Sequence, residues 1–540
     1  MYKLHLILKY LRKRRIAWVS LAAVMLCTTM VLVVISVMGG WLRMFTASFQ
    51  GLSGEVIVSA RYPSGFPYYQ EMAERIEQLP GVGPGGVVPV IRTFGLINIG
   101  NLKGDGVQVI GYPIDSIGAV NAFPQSLWRQ HKRYLEALDK GELTETERYA
   151  LGLKQREGER WPSFVPPLET EEKATPLTDA ERRRLQELAE QGLANPSYAL
   201  PYPDLVYETA ARFASPRAPD AYVKSAPRWA GMIAGIGVIE IHRDERGRLI
   251  GRSDDLYQLP VKLTVMAIDP GGVTVDLRNK SERPYWIVDD SHTGVWQYDA
   301  NTVYVPFEIL QQDLNMAGVP DATDEAGNPA PVPPRTSELH IRVADGHDMN
   351  AVRDQVRSIV LEVYRQHGMS ERTAPNVQTW RDTQAVFLNA IEKEKLLVTI
   401  LFCIISLVAV FLIFCIFYMI VVEKTRDIGI IKAVGATREG VASIFLGYGL
   451  AIGLVGAGLG LLLAWLIVSN INELHAWLGR VFHLQIWDPQ VYAFDTIPST
   501  MDPVEVAWIM AVAVVSSVLG SLIPALRAAS LEPIEALRYE

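Results

Sequence analysis

The sequence predicts a membrane α-helical protein: four transmembrane helices, with a large α+β domain on the extracytoplasmic side between helices one and two. Three observations predict it. Four uncharged runs, Ile16–Leu42, Leu396–Val422, Gly440–Asn472 and Val506–Leu526, each exceed the ~20 residues an α-helix needs to cross a bilayer. Basic residues gather at one set of their ends. The long segment between the first two runs switches between strand and helix periodicity. With 49% hydrophobic residues in 540, the chain is also too apolar for an ordinary soluble protein.

Orientation follows from the basic residues. Lys3, Lys9, Arg12, Lys13, Arg14 and Arg15 precede the first run, Lys424, Arg426, Lys432 and Arg438 separate the second from the third, and Arg527 and Arg538 follow the fourth. Residues 473–505 hold only Arg480 against five acidic residues. The positive-inside rule makes both termini and the 423–440 loop cytoplasmic and the large domain extracytoplasmic. The elements in order are a basic segment 1–15, span one at 16–42, the domain 43–380 with an insertion at about 120–225, a stalk 381–395, span two at 396–422, a cytoplasmic coupling helix and loop 423–440, span three at 441–471, an outer loop 472–505, span four at 506–526 and a cytoplasmic tail 527–540.

Span one is too long for a secretory signal and no A-x-A site follows, so it reads as a retained anchor. Gly39 and Gly40 mark a place to kink. Beyond them Trp41, Phe45, Phe49 and Leu52 recur at helical spacing, as an outer stalk or as an interfacial helix with Trp41 at the headgroups. Within the domain EVIVSA, VVPVIRTFGLINIG, GVQVIGYPID, GMIAGIGVIEI, VKLTVMAID, NTVYVPF and SELHIRVAD alternate as strands do, and QEMAERIEQL and MNAVRDQVRSIVLEVYRQHG read as helices. The insertion is charged and amphipathic, either an ordered helical addition or a solvated excursion.

From Arg381 to Ile428 there is neither Gly nor Pro, so those 48 residues read as one helix of about 72 Å, against roughly 30 Å of hydrocarbon. A rod of that length must protrude and could transmit force. Span three has Gly449, Gly453, Gly456 and Gly460 at three- and four-residue spacing, which lets helices approach closely in lipid, within the chain or across a dimer. Pro524 is expected to kink span four near its end.

The sequence offers no enzymatic site. No G-x-x-x-x-G-K-[ST] occurs, so ATP cannot be bound through a P-loop of this chain. GVGPGG at 81–86 and GLVGAGLG at 453–460 lack the strand and helix context of nucleotide loops. The nine histidines show no H-E-x-x-H, DATDEAGN places its glycine one position late for a calcium loop, and there is no G-x-S-x-G. Asp289, Asp290, Ser291 and His292 read as a polar turn. Cys27, Cys403 and Cys415 all fall in spans, leaving the domain without a disulfide staple. No basic domain points to nucleic acid.

The 423–440 loop is different. Ile428, Ile431 and Val434, with Ile430 beside them, form an apolar patch on a short helix whose other side bears Lys424, Arg426, Asp427 and Lys432, and Gly435 supplies the stop. Such a turn can lie on lipid or dock in a partner's groove, and charge of both signs favours the partner.

VEKTRDIGIIKAVGAT at 422–437 and PALRAASLEPIEALRYE at 524–540 resemble the FtsX-like domain of MacB-type ABC transporter permeases. KYLRKRR, VISVMGG, TWRDTQAVFLNAIEKEKLL, VIGYPID and YDANTVYVPFEILQQDL are similar to stretches of the lipoprotein-releasing LolC and LolE permeases. The resemblance implies a FtsX/MacB-like fold and a non-catalytic permease that pairs with a second permease, the same or homologous. Two separate ATPase subunits bind the ATP and Mg2+, so this chain needs no cofactor. It also implies a bacterial inner-membrane location with the large domain periplasmic. Carried over residue by residue, it makes Glu423, Lys424, Arg426, Asp427, Ile428, Ile431, Lys432, Val434, Gly435, Ala436 and Thr437 the surface that meets the ATPase. Lipoprotein or lipid would then be extracted from the outer leaflet and handed to a periplasmic carrier. The insertion has no counterpart in that resemblance, which leaves two other readings open: a transducer that activates a periplasmic cell-wall hydrolase, and an exporter of small molecules or peptides.

Overall fold

The computed structural model describes residues 15–99, 105–154, 173–199, 229–238, 242–243, 249–250, 260–268, 275–320, 331–482 and 497–532. The basic segment before Arg15, the DATDEAGN stretch and the tail after 532 lie outside these. The chain divides into two compact units, one formed mainly by residues 46–385 and the other by the membrane-length helices.

The first unit is α+β. Its main sheet has nine strands: β1 (Val56–Ser59), β2 (Val87–Ile99), β3 (Asp105–Tyr112), β4 (Ala230–Gly235), β5 (Pro260–Ile268), β6 (Val275–Ser291), β7 (Thr302–Pro306), β8 (Glu338–Ile341) and β9 (Asn376–Thr379). They lie in the order β5-β6-β4-β7-β3-β2-β8-β1-β9, and β5 also pairs with β2. That last pairing closes the first six strands into a ring. Strand β2 makes both parts possible, because it is 13 residues long. Val87–Val90 pair with β8, and Ile91–Ile97 and Gly95–Ile99 pair with β3 and β5 in the ring. The alternation visible in sequence sends every second residue inward, so Ile97, Val109, Met232, Val261, Leu263 and Val303 are buried together. The open part is covered by helix Met349–Gln366, whose Val352, Val356, Val360 and Val363 recur along one face and are buried against the same core.

Between β3 and β4 the described residues are mostly helical, with one short strand pair, Glu142–Leu143 on Thr175–Pro176, and have a small core of their own, in which Tyr134, Leu143, Leu177, Leu185 and Ala189 are buried. Helix Asp179–Ala194 starts with a capping box between Thr178 and Glu181. Glu181 also pairs with the buried Arg148 at 2.7 Å. Asp289 and Asp290 correct the expected polar turn: they end strand β6 and are buried. The Asp289 carboxylate accepts the backbone N–H of Arg129 at 2.6 Å and of Gln130 at 3.1 Å, which fastens the helical region to the sheet. Burial, with Asp290 beside it, pushes the Asp289 carboxyl above the ordinary carboxylate range.

Among the described residues the second unit contains four helices long and apolar enough to cross a membrane, with candidate spans Trp18–Thr46, Leu388–Glu423, Arg438–Ser469 and Pro503–Ser530. We call them spans one to four. Span one belongs to the uninterrupted helix Arg15–Leu52. Gly40 there is a point of close approach, since a Cβ would lie 2.7 Å from the carbonyl oxygen of Pro498. Helix Pro503–Ser530 likewise continues past Pro524. Arg43 and Asp502, the N-cap of that last helix, form an ion pair at 2.9 Å.

The single helix expected from Arg381 to Ile428 is three. Trp380–Thr383 is a separate turn closed by a Thr379/Asp382 capping box, Ala385–Glu423 is the long member at 39 residues, and Thr425–Ala433 follows. At ~1.5 Å per residue the long member measures about 58 Å. The second break, at Lys424 (φ −104°, ψ 11°), has a visible cause. The Thr425 hydroxyl donates back to the Val422 carbonyl at 2.8 Å, and Ile428 is buried with Val421, Val441 and Ala528. Tertiary burial thus turns the chain where no Gly or Pro marks it.

Candidate functional site

The turn after span two is a short helix clamped at both ends. At its start Lys424 pairs with Asp427. At its end the Ala436 N–H bonds to the Ile431 carbonyl and the Gly435 N–H to the Lys432 carbonyl, at 3.2 and 3.0 Å. This is the Schellman arrangement, which needs a left-handed residue, and Gly435 provides it at φ 107°. Thr437 then caps span three, its hydroxyl accepting the Gly440 N–H at 3.1 Å.

The structure divides the residues the sequence had grouped on two faces. Ile428 points inward, 4% exposed, whereas Ile430 and Val434 are 48% and 85% exposed, and Ile431 is half-buried. The outward apolar surface is therefore Ile430 and Val434. The polar side divides too. Glu423 and Arg426 are exposed, but the Lys432 ammonium turns back and donates to the carbonyls of Ala529, at 2.8 Å, and Leu531. A cation placed there satisfies carbonyls that a helix C-terminus leaves open and faces the negative end of its dipole. Lys432 is thus a strut between the turn and the end of span four. No local pattern announces this, since Ala529 lies 97 residues away.

The four glycines of span three face two different neighbours. A Cβ on Gly449 would meet the Ser521 hydroxyl at 2.2 Å, and one on Gly453 the Ser517 Cβ at 3.0 Å, both in span four. Gly456 and Gly460 face span one, with Val24 and Thr28 at 2.9 Å. Hydrogen bonds follow the same division: Ser517 donates to the Gly449 carbonyl at 2.8 Å and Thr29 to the Gly460 carbonyl at 3.1 Å. The sequence had shown the glycines but not these hydroxyl partners.

Span two approaches span four closely at Gly520, where a Cβ would meet Val410 and Ile413. Beside this contact an apolar groove of about 580 Å³ opens between Leu407, Phe411, Phe414 and Ile523. Among the described residues no group of three His, Cys, Asp or Glu side chains could hold a metal ion.

Residues 399–533 match the family model of the FtsX-like permease C-terminal domain. The lipoprotein-releasing system transmembrane protein LolC of Neisseria meningitidis is 32% identical over 171 residues, which are 32% of this chain and 41% of that protein. LolE of Haemophilus influenzae is 31% identical over 119 residues, 22% of this chain and 29% of that one. The macrolide export ATP-binding/permease protein MacB of Bdellovibrio bacteriovorus is 29% identical over 205 residues, 37% of this chain and 28% of that one. The matched segments span less than half the length of these relatives. The crystal structure of the periplasmic region of MacB from Actinobacillus actinomycetemcomitans overlaps 63% of this chain and 95% of that one. The identity is 9% and the TM-score 0.22, too low to bear on the fold. The match at residues 399–533 takes in most of span two, the turn and spans three and four, and the likeness to LolC, LolE and MacB permeases implied by the sequence motifs is borne out.

Proposed function

We propose that this chain is the permease subunit of an ABC transporter in a bacterial inner membrane. Two ATPase subunits supplied by other chains carry the ATP and Mg2+, and the turn Glu423–Thr437 of this chain docks on the ATPase. A second permease, a copy or a homologue, completes the complex. In this reading both termini are cytoplasmic, the α+β domain is periplasmic, and the cargo is lipoprotein or lipid taken from the outer leaflet and passed to a periplasmic carrier. The observation that carries the reading is the turn itself. Its helix is fixed to spans two, three and four by Ile428 and Lys432, yet it presents Ile430, Val434 and Arg426 to solvent. A rigid base with an exposed apolar tip is suited to receiving a push from a partner's groove. The relatives named for lipoprotein release favour lipoprotein as the cargo, while those named for macrolide export keep a small-molecule cargo as the second reading.

The test is co-expression of the chain with candidate ABC ATPase subunits from the same genome, taking the one that co-purifies with it. Val434→Asp is expected to abolish co-purification and the stimulation of ATP hydrolysis, while the permease stays folded in the membrane. Undiminished co-purification with undiminished hydrolysis would remove the docking assignment. The lipid or protein retained by the intact complex then separates the two cargo readings.

A further inference from the structure

Helix Ile471–Phe482 joins the end of span three to the segment that leads into span four, and none of its residues is buried. Leu474, Trp477, Leu478 and Val481 recur at i, i+3, i+4 and i+7, one stripe of a helix. Leu474 is 38% exposed, and Trp477 and Val481 are each 50% exposed. Glu473 and Arg480 lie off that stripe and balance in charge. An exposed apolar stripe of this kind calls for an occupant.

Three observations identify it. Only Asn470 separates the helix from span three, which ends at Ser469 and whose last turns expose Leu462, Trp465 and Leu466. The stripe therefore begins directly after a helix end that already leaves large apolar side chains uncovered by protein. Trp465, Trp477 and Trp508, the last 72% exposed in the first turns of span four, all fall near the same ends of the spans, where tryptophan favours the membrane–water boundary. Finally, Asn472 holds the start of the helix to the entry of span four: its Oδ1 accepts the Ile497 N–H at 2.9 Å. That contact ties the helix to the boundary between the two spans.

We propose that Ile471–Phe482 lies flat on the bilayer, at the boundary where span three ends and span four begins, with Leu474, Trp477 and Val481 at the level where headgroups meet acyl chains. It is the apolar stripe with its tryptophan, rather than any basic face, that gives this helix the character of an interfacial anchor. It would keep the leaflet beside spans three and four in contact with protein whatever the cargo is, so the proposal does not depend on the transport reading.

The test uses the full chain in phospholipid vesicles, with Cys27, Cys403 and Cys415 replaced by alanine and spin labels placed one at a time through Leu474→Cys, Trp477→Cys, Val481→Cys, Glu473→Cys and Arg480→Cys. The first three labels are expected to relax several-fold more with dissolved oxygen than with a water-soluble nickel chelate, and the last two the reverse. Nickel access at the first three would mean water, and low access to both reagents would mean a protein partner; either overturns the proposal. A second reading needs no label. In vesicles brominated near the headgroup, the quenched share of tryptophan emission should fall in Trp477→Phe, and an unchanged share would count against the interfacial position.

Discussion

Spans two and three are both long, apolar helices, yet they belong to the membrane unit in opposite ways. Span three is built around small residues, and Gly449, Gly453, Gly456 and Gly460 are buried against spans four and one. Span two, richer in large side chains, leaves Leu407, Val408 and Phe411 between 60% and 68% exposed. The more hydrophobic helix is the less embedded one. In water that would be a contradiction, but lipid is as apolar as leucine, so apolar side chains gain nothing from leaving it for each other. Close backbone approach and hydroxyl-to-carbonyl hydrogen bonds decide which helices pack. Span two is left with a broad face free for lipid or for the proposed second permease.

If that contrast is right, substitutions should rank accordingly. Gly449→Leu should be the most damaging, because its side chain would start 2.2 Å from the Ser521 hydroxyl and 2.7 Å from the Ser521 Cβ, which rotation of the hydroxyl does not relieve; a loss of about 3 kcal/mol is expected, the upper end for overpacking, read by unfolding in mixed micelles. Gly460→Leu should follow at about 2 kcal/mol, since the Met25 carbonyl at 2.9 Å is backbone and cannot rotate away. Ser517→Ala removes one hydrogen bond to the Gly449 carbonyl and should cost about 0.6 kcal/mol, the usual worth of such a bond between membrane helices. Phe411→Ala in span two should cost the isolated chain less than about 0.5 kcal/mol, as expected of a side chain that only exchanges lipid for lipid. Equal losses at Phe411 and Gly449 would erase the distinction between the two spans. Weakened self-association by Phe411→Ala, with stability unchanged, would sharpen it by marking span two as the permease–permease surface.

Much of this arrangement was legible in the sequence, and the illegible parts share a cause. Spans announce themselves through uncharged runs, and the strands of the domain through alternation, because both signals are local. The glycine pattern of span three was equally plain, but the identity of its partners was not, since Ser517, Ser521 and Thr29 are ordinary residues until the helices meet. The absence of Gly and Pro from Arg381 to Ile428 correctly predicted a long helix and wrongly predicted an unbroken one. Burial of Ile428 beneath Ala528 bends the chain at Lys424, and that contact joins residues a hundred positions apart. The sequence places Lys432 with Lys424, Arg426 and Asp427 on the polar side of the turn, and its strut role is illegible there for the same reason, as its carbonyl partners arrive from the far end of span four. Ring closure between β2 and β5 is likewise long-range, and no pattern in either strand specifies it.

Strand β2 is held along its length by three others, β8 at Val87–Val90 and then β3 and β5. The α+β unit therefore has no seam at which it could be cut into a barrel and a flanking sheet. A truncated fragment made from the six ring strands alone would keep Val87–Val90 as a bare, apolar β-edge, a template for aggregation. Studies of this domain in isolation will need both parts in one polypeptide.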